Sequence, residues 1–147
     1  MPKPLTNPMV KIELSDLEIT DDDLHQYQEA WDAKILELKH PYVLDLIRVL
    51  VPYKRPLRRM TVIALLRSSR TTLGLPMPPM FDHAVQRTLE YHCVDSDVFK
   101  DRKVAHSEAL FCWPRGNGKG IWGLIPENAE VWVRQNREFW SRRVIKI

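Results

Sequence analysis

The sequence predicts a mainly α-helical fold with one small β-hairpin. Through much of the chain, apolar residues recur at three- and four-residue steps, which is the spacing of one face of an amphipathic helix. Near residues 108–125 the pattern changes to two short apolar strands, EALFCWP and GIWGLI, around the turn RGNGKG. The three glycines of that turn allow the positive backbone angles that a tight hairpin needs.

Composition narrows the class of protein. The chain has 147 residues, 44% of them hydrophobic, which suits one folded domain. It has no apolar run long enough to span a membrane and no secretory signal at its N-terminus, so we expect a cytoplasmic protein. Cys93 and Cys112 are too few for a disulfide framework, and they are expected to be small apolar core residues without redox chemistry.

Charge is distributed unevenly along the chain. Residues 1–40 hold 4 Lys/Arg against 9 Asp/Glu, whereas residues 41–147 hold 18 against 10. This asymmetry indicates a basic body that is attracted to phosphate, together with an acidic arm.

The acidic arm is predicted to end in a helix from Thr20 to about Lys39, after an extended segment with a short strand near residues 10–14. Thr20 can cap the free amides, and the next three residues are aspartates, which favour the positive end of the helix dipole. Its apolar face is expected to comprise Leu24, Tyr27, Trp31, Ile35 and Leu38.

Two further helices are predicted in the middle of the chain. The first starts after Pro41 and covers residues 42–51, with a buried side that comprises Val43, Leu44, Ile47, Leu50 and Val51. The second covers residues 57–69, with Met60, Ile63, Ala64 and Leu66 or Leu65 buried. Its arginines, Arg58, Arg59, Arg67 and Arg70, are left for solvent or phosphate. A proline-bearing loop is expected over residues 71–79.

A third helix is predicted from about Pro79 to Cys93. One stripe is expected to be core, namely Phe81, Ala84, Val85, Thr88, Leu89 and His92. The opposite stripe is free to contact a partner and comprises Asp82, His83, Gln86, Arg87 and Glu90.

The rest of the chain completes the pattern. A polar link after Cys93 is expected to be held to the core by Val94, Val98 and Phe99, and the hairpin follows. A last helix should start near Pro126, with Val131, Trp132, Gln135 and Phe139 on one face, and end in the basic tail SRRVIKI. Trp122 is expected in the core and Trp140 at an interface.

Three helices followed by a hairpin is the order of a winged helix-turn-helix. The sequence therefore divides into an acidic N-terminal arm and helix (1–40), a winged-helix domain (41–126), and a C-terminal helix with a basic tail (127–147).

The central region also resembles a known family in its amino-acid sequence, in addition to its order of elements. The runs VQRTLEYHCVDSDVF and ALFCWPRGNGKGIWGLIPEN resemble the winged-helix domains of the HARE type and those found beside bacterial restriction endonucleases. The matching positions are Val85, Leu89, His92, Asp95, Ser96, Leu110, Phe111, Gly120, Trp122, Gly123 and Leu124. This resemblance implies a helix-turn-helix fold that binds DNA or mediates assembly on it. It does not imply a nuclease domain here, since only about 20 residues follow the hairpin.

DNA binding requires cations near phosphates and a helix whose exposed face can enter the major groove. His83, Gln86 and Arg87 are predicted to contact base edges, because Gln can pair with adenine and Arg with guanine. Arg58, Arg59, Arg115 and Lys119 are predicted phosphate contacts, with Asn117 at the tip of the hairpin. Gln86 and Arg87 could instead simply solvate a surface helix.

Catalytic and ligand sites are not predicted. His83, His92, Cys93, His106 and Cys112 lack the paired spacing of a zinc site. RGNGKG lacks the phosphate-loop pattern and leads into a strand. No nucleophile elbow occurs. We therefore expect no enzyme activity, no metal and no cofactor.

The main hypothesis is a non-catalytic protein that binds double-stranded DNA and regulates transcription or a mobile element. A homodimer is expected, with its interface at the helix around Trp31 or the helix around Trp132. The alternative is a winged helix that docks to another protein, such as a polymerase or nuclease complex. Asp82 and Glu90, which offset Arg87, favour that alternative.

Overall fold

The computed structural model describes residues 18–33, 42–53, 55–116 and 118–145. Six α-helices, three strands and one 3₁₀-helix occur in these ranges. In chain order they are α1 (Asp21–Asp32), α2 (Val43–Leu50), β1 (Leu57–Arg58), α3 (Arg59–Leu73), α4 (Phe81–Tyr91), α5 (Asp97–Arg102), the 3₁₀-helix (His106–Glu108), β2 (Phe111–Cys112), β3 (Ile121–Leu124) and α6 (Pro126–Ile145). The protein is thus mainly helical with a small antiparallel sheet. None of the described helices combines the length and the apolar character that crossing a membrane requires.

Helix α1 starts where the sequence predicts. The Thr20 hydroxyl accepts a hydrogen bond from the Asp23 amide at 3.1 Å, and the Asp23 carboxylate accepts one from the Thr20 amide at 2.9 Å. This reciprocal pair is a capping box. The helix ends at Asp32, earlier than predicted, and residues 34–41 lie outside the described ranges, as does the predicted strand at residues 10–14.

Helix α1 packs on α6 within the same chain. The Tyr27 ring contacts the Trp140 ring edge to face at 5.2 Å, and Trp140 Nε1 donates to the Asp23 carboxylate at 3.2 Å. Trp140 is fully buried, so its predicted place at an interface is wrong. The two helices proposed as a dimer interface thus contact each other within one chain through Tyr27, Asp23 and Trp140.

Helix α6 turns a different face to the core than predicted. Ala129, Val133 and Trp140 are buried, whereas Val131 and Phe139 are exposed. The buried positions recur at steps of four and seven residues, which keeps them on one side of the helix toward α1.

Residues 57–73 differ from the predicted helix at both ends. Leu57 and Arg58 form a strand because they pair with β3, and α3 then continues four residues beyond Ser69. It stops at Gly74, whose φ of 72° is left-handed, and the Leu75 amide closes the end by donating to the Arg70 carbonyl at 2.8 Å.

The predicted burial on α3 is also partly wrong. Val62, Ile63 and Leu66 are buried, but Met60 and Ala64 are exposed. Arg70, predicted to face solvent or phosphate, is buried and pairs with Asp45 of α2 at 2.6 Å.

Helix α4 confirms the predicted third helix. Phe81, Val85, Thr88 and Leu89 are buried on one side, as the periodicity indicates. The polar link that follows contains α5, a helix that is not predicted from the sequence, and the start of this helix is capped by the Ser96 hydroxyl. Phe99 is buried there, whereas Val98 is exposed.

The three strands form an antiparallel sheet in the order β1-β3-β2. In the predicted hairpin, Phe111 pairs with Leu124 and Cys112 with Gly123. Gly116, Gly118 and Gly120 all have positive φ, which confirms the reason given for the three glycines. Trp122 is buried at the centre of the sheet, as predicted.

Candidate nucleic-acid interface

The predicted contact stripe of α4 faces away from the core. Asp82, His83 and Arg87 are exposed, and Gln86 and Glu90 are half-buried. The helix is held by its apolar side, where Phe81 packs edge to face on Tyr42 at 5.0 Å. The helix therefore presents a fixed polar face of about two turns.

Three of the five polar groups on that face are already engaged. Asp82 pairs with Arg67 of α3 at 2.7 Å. Gln86 Nε2 donates to the Glu90 carboxylate at 2.8 Å, while its Oε1 is buried without a partner. The side chains of His83 and Arg87 make no hydrogen bond or ion pair with the described part of the chain, so they are the two groups free to contact a ligand.

Three of the predicted phosphate contacts, Arg58, Arg59 and Lys119, lie where the sheet meets the start of α3, and Arg115 lies on the β2 side of the hairpin turn. Arg58 of β1 is opposite Ile121 of β3, and the Arg59 amide donates to the Gly120 carbonyl at 2.8 Å. Lys119 precedes that glycine. Strand pairing thus brings Arg58 and Arg59 beside Lys119, although 60 residues separate them in the sequence.

One further exposed cation precedes β1. Arg58, Arg59, Arg115 and Lys119 are exposed, and so is Arg55, which the sequence reasoning missed as a site residue although it lies in the basic run KRPLRR. We call these five residues the basic edge. Asn117, predicted at the hairpin tip, lies outside the described residues.

The base of the hairpin is fixed by packing. The Trp113 ring contacts the buried Trp122 ring edge to face at 5.3 Å, and the Trp113 amide donates to the Asp95 carboxylate at 2.7 Å. Gly123 lies close to Cys112, where an added Cβ would be 3.2 Å from the sulfur. The hairpin that carries Arg115 and Lys119 is therefore held to the body at its base.

Electrostatics sets the basic edge apart from the rest of the molecule. The sequence has no Asp or Glu from residue 46 to residue 81, or from residue 109 to residue 126. These two stretches contain all the residues of the basic edge. The nearby positive charges are therefore not neutralised by carboxylates of their own segments.

The start of α3 adds to this positive character. The helix begins at Arg59, with Arg58 before it, no side-chain cap and no acidic residue in its first turn. Cations are unfavourable at the positive end of a helix dipole, whereas an anion is stabilised there by the dipole and the free amides. The arrangement therefore favours a bound anion.

The histidines and cysteines of the central region were considered as a metal or nucleophile site. No cluster of three or more His, Cys, Asp or Glu side chains suited to a metal ion occurs among the described residues. Burial raises the pKa of the Cys93 thiol to about 12 and also raises the pKa of Cys112, so neither sulfur is an activated nucleophile. His92, on the apolar stripe, is buried.

A groove of about 670 Å³ lies between the end of α4 and helix α6 and is lined by residues that include Tyr91, Arg102 and Trp132. The Arg102 guanidinium lies 4.0 Å from the Tyr91 ring centroid and donates to the Tyr91 carbonyl at 2.7 Å. These contacts fix the end of α4, which carries the candidate contact face.

Comparison of the chain with protein-family models, with curated proteins and with solved structures gave no match. The resemblance to winged-helix domains consequently stays a prediction, and the function is inferred from the geometry alone.

Proposed function

We propose that this protein is a non-catalytic, double-stranded-DNA-binding protein of the winged helix-turn-helix type. The observation that carries the proposal is the basic edge, where strand pairing brings Arg58 and Arg59 beside Lys119 in segments without carboxylates, with Arg55 and Arg115 exposed in the same two segments. Duplex DNA has one negative charge for about every 1.7 Å of its axis, so a surface of this kind binds it through phosphates.

The order of elements supports the proposal. Helices α2, α3 and α4 are followed by the β2–β3 hairpin, and β1 joins the hairpin as a third strand. In this arrangement α3 and α4 are the helix-turn-helix pair, and the hairpin is the wing. Helix α5 and the 3₁₀-helix are inserted between α4 and the wing.

In the proposed complex, α4 lies over the major groove and the basic edge holds the backbone. His83 and Arg87 are the side chains positioned to reach base edges. Arg58, Arg59, Arg115 and Lys119 contact phosphates, with Arg55 beside them. Regulation of transcription or of a mobile element remains the biological role that we propose for such binding.

The test is fluorescence anisotropy of a labelled random-sequence duplex at several salt concentrations. Four phosphate contacts predict a slope of log K against log salt of about −3.6, so binding should weaken by roughly 100-fold between 50 and 200 mM salt. The double variant Arg115→Ala, Lys119→Ala should bind more weakly and reduce the slope by about 1.8.

A matched control removes an arginine from another surface. Arg134 on α6 is 58% exposed and pairs with Glu130, and Arg134→Ala should leave DNA affinity within about twofold while Arg115→Ala lowers it. Absence of binding at low salt, or equal losses in the two single variants, would contradict the proposal.

Docking to another protein is the second candidate function. It is favoured by the contact face of α4, where Asp82 is paired with Arg67 and Glu90 offsets the charge of Arg87. An apolar protein interface responds weakly to salt, so a partner captured equally at 50 and 500 mM salt, together with no DNA binding, would establish it.

A further inference from the structure

We infer that the protein binds duplex DNA with little dependence on base sequence. The inference rests on the proposed function and concerns the kind of DNA that the site accepts. The basic edge supplies most of the affinity through the backbone, and α4 adds at most one strong contact to a base.

The contact face of α4 is poorly equipped to read bases. Gln86 is the one amide predicted to pair with adenine, but its Nε2 is bonded to Glu90 at 2.8 Å and its Oε1 is buried. To reach a base, Gln86 must break that bond and leave the Glu90 carboxylate facing the DNA.

The charges on the same face point to the same conclusion. Asp82 and Glu90 lie two turns apart, at the two ends of the face, with Arg87 between them. Arg67 neutralises Asp82 at 2.7 Å. The face therefore has no net attraction for a phosphate-lined groove, in contrast to the basic edge.

The number of available base contacts can be compared with the discrimination that site-selective DNA binding requires. One good bidentate contact discriminates against a wrong base by about 5- to 150-fold. Proteins that select a DNA site bind it roughly 10³- to 10⁷-fold more tightly than other DNA. His83 has no bidentate pairing with a base, and Arg87, even in an ideal pair with guanine, falls short of that range. Phosphate contacts carry no sequence information.

The test is repeated selection from a pool of duplexes with 20 randomised base pairs, with the full-length protein. We expect the enriched pool to bind less than about 150-fold more tightly than the starting pool, which is the upper end for one bidentate contact. Arg87→Ala should remove most of that difference, so that the two pools then bind within about threefold of each other.

A gain-of-function variant adds a second readout. Glu90→Gln keeps the size of the side chain, removes its negative charge and should increase affinity for both pools by about two- to fivefold, because one repulsive charge is lost. Asp97→Asn on α5 removes an exposed carboxylate from a different helix and should change affinity by less than twofold.

The possible outcomes test low sequence dependence separately from DNA binding itself. Enrichment of one motif by more than about 150-fold, lost in Arg87→Ala, would overturn the inference and leave DNA binding intact. Failure of both pools to bind at 20 mM salt would overturn DNA binding itself, and the inference with it. Binding of both pools within the predicted range supports both.

Discussion

Arg70 is a buried charged side chain that makes hydrogen bonds to three other parts of the chain. Its guanidinium donates to Asp45 at 2.6 Å, to Gln28 at 2.6 Å and to the Pro76 carbonyl at 2.9 Å, and it lies over the Tyr42 ring. One buried residue therefore links α1, α2 and the segment after α3. Burial raises the pKa of Asp45, and the Arg70 charge opposes that shift.

Loss of either partner alone should strongly destabilise the protein. Arg70→Met leaves the Asp45 carboxylate buried without its cation and is expected to lower the free energy of unfolding by about 3–5 kcal/mol. Arg70→Met with Asp45→Leu should recover part of that loss, since no unpaired charge remains. Urea unfolding gives the free energy of unfolding of the single and double variants. If the loss in the double variant equals the sum of the losses in the two single variants, Arg70 and Asp45 do not stabilise each other.

The same residue shows where sequence reasoning stops. Arg58, Arg59, Arg67 and Arg70 look alike in the sequence, and all four were predicted to be available to solvent or phosphate. Arg70 differs because folding places Asp45, 25 residues away, against it. Similarly, helical spacing separates Gln86 from the core but does not show that Gln86 bonds to Glu90. The residue types at the candidate site could be predicted, whereas their partners depend on tertiary contacts.

At the scale of elements, local signals predicted the structure well. Thr20 and the aspartates after it predict the start of α1, and the three glycines predict the hairpin, because both signals act within a few residues. The sequence predicts helix at Leu57 and Arg58, where the structure has β1, because the partner strand β3 lies more than 60 residues away. The buried face of α6 differs from the predicted one for a related reason, since the position of α1 determines which side of α6 is buried.

The capping box of α1 can be tested directly. Thr20→Ala removes the acceptor for the Asp23 amide and should lower the free energy of unfolding by about 1 kcal/mol. Thr20→Ser retains a hydroxyl and should lose less than half as much. Thermal unfolding of the three proteins makes the comparison, and equal losses for Ala and Ser would show that the hydroxyl does not stabilise the helix start.

At the scale of the whole molecule, carboxylates of α1 form ion pairs with the body, whereas the cations of the basic edge are exposed. On α1, Asp21 pairs with Arg48 of α2, and Asp23 pairs with Arg137 and bonds to Trp140 of α6. These carboxylates attach α1 to the body and thus neutralise cations away from the basic edge. None of the described ion pairs joins a carboxylate of α1 to a cation of the basic edge.

Stability of the whole molecule should fall in alkaline solution. Burial raises the pKa of Cys93 to about 12 and raises the pKa values of Tyr27, Tyr42 and Cys112 above their ordinary range. A raised pKa means that the folded state holds the proton more tightly than the unfolded state. The stability it contributes is complete below the unfolded pKa and is lost as pH rises toward the folded pKa.

For Cys93 this loss falls between about pH 9 and pH 12, at up to about 1.4 kcal/mol for each pH unit. We expect urea unfolding at pH 10.5 to give a free energy of unfolding at least about 2 kcal/mol lower than at pH 8. Cys93→Ala cannot titrate at this position, so it should be less stable than wild type at pH 8 but should lose less on going to pH 10.5. An unchanged unfolding midpoint across this range would contradict the burial of these four groups, because exposed thiols and phenols titrate alike in both states.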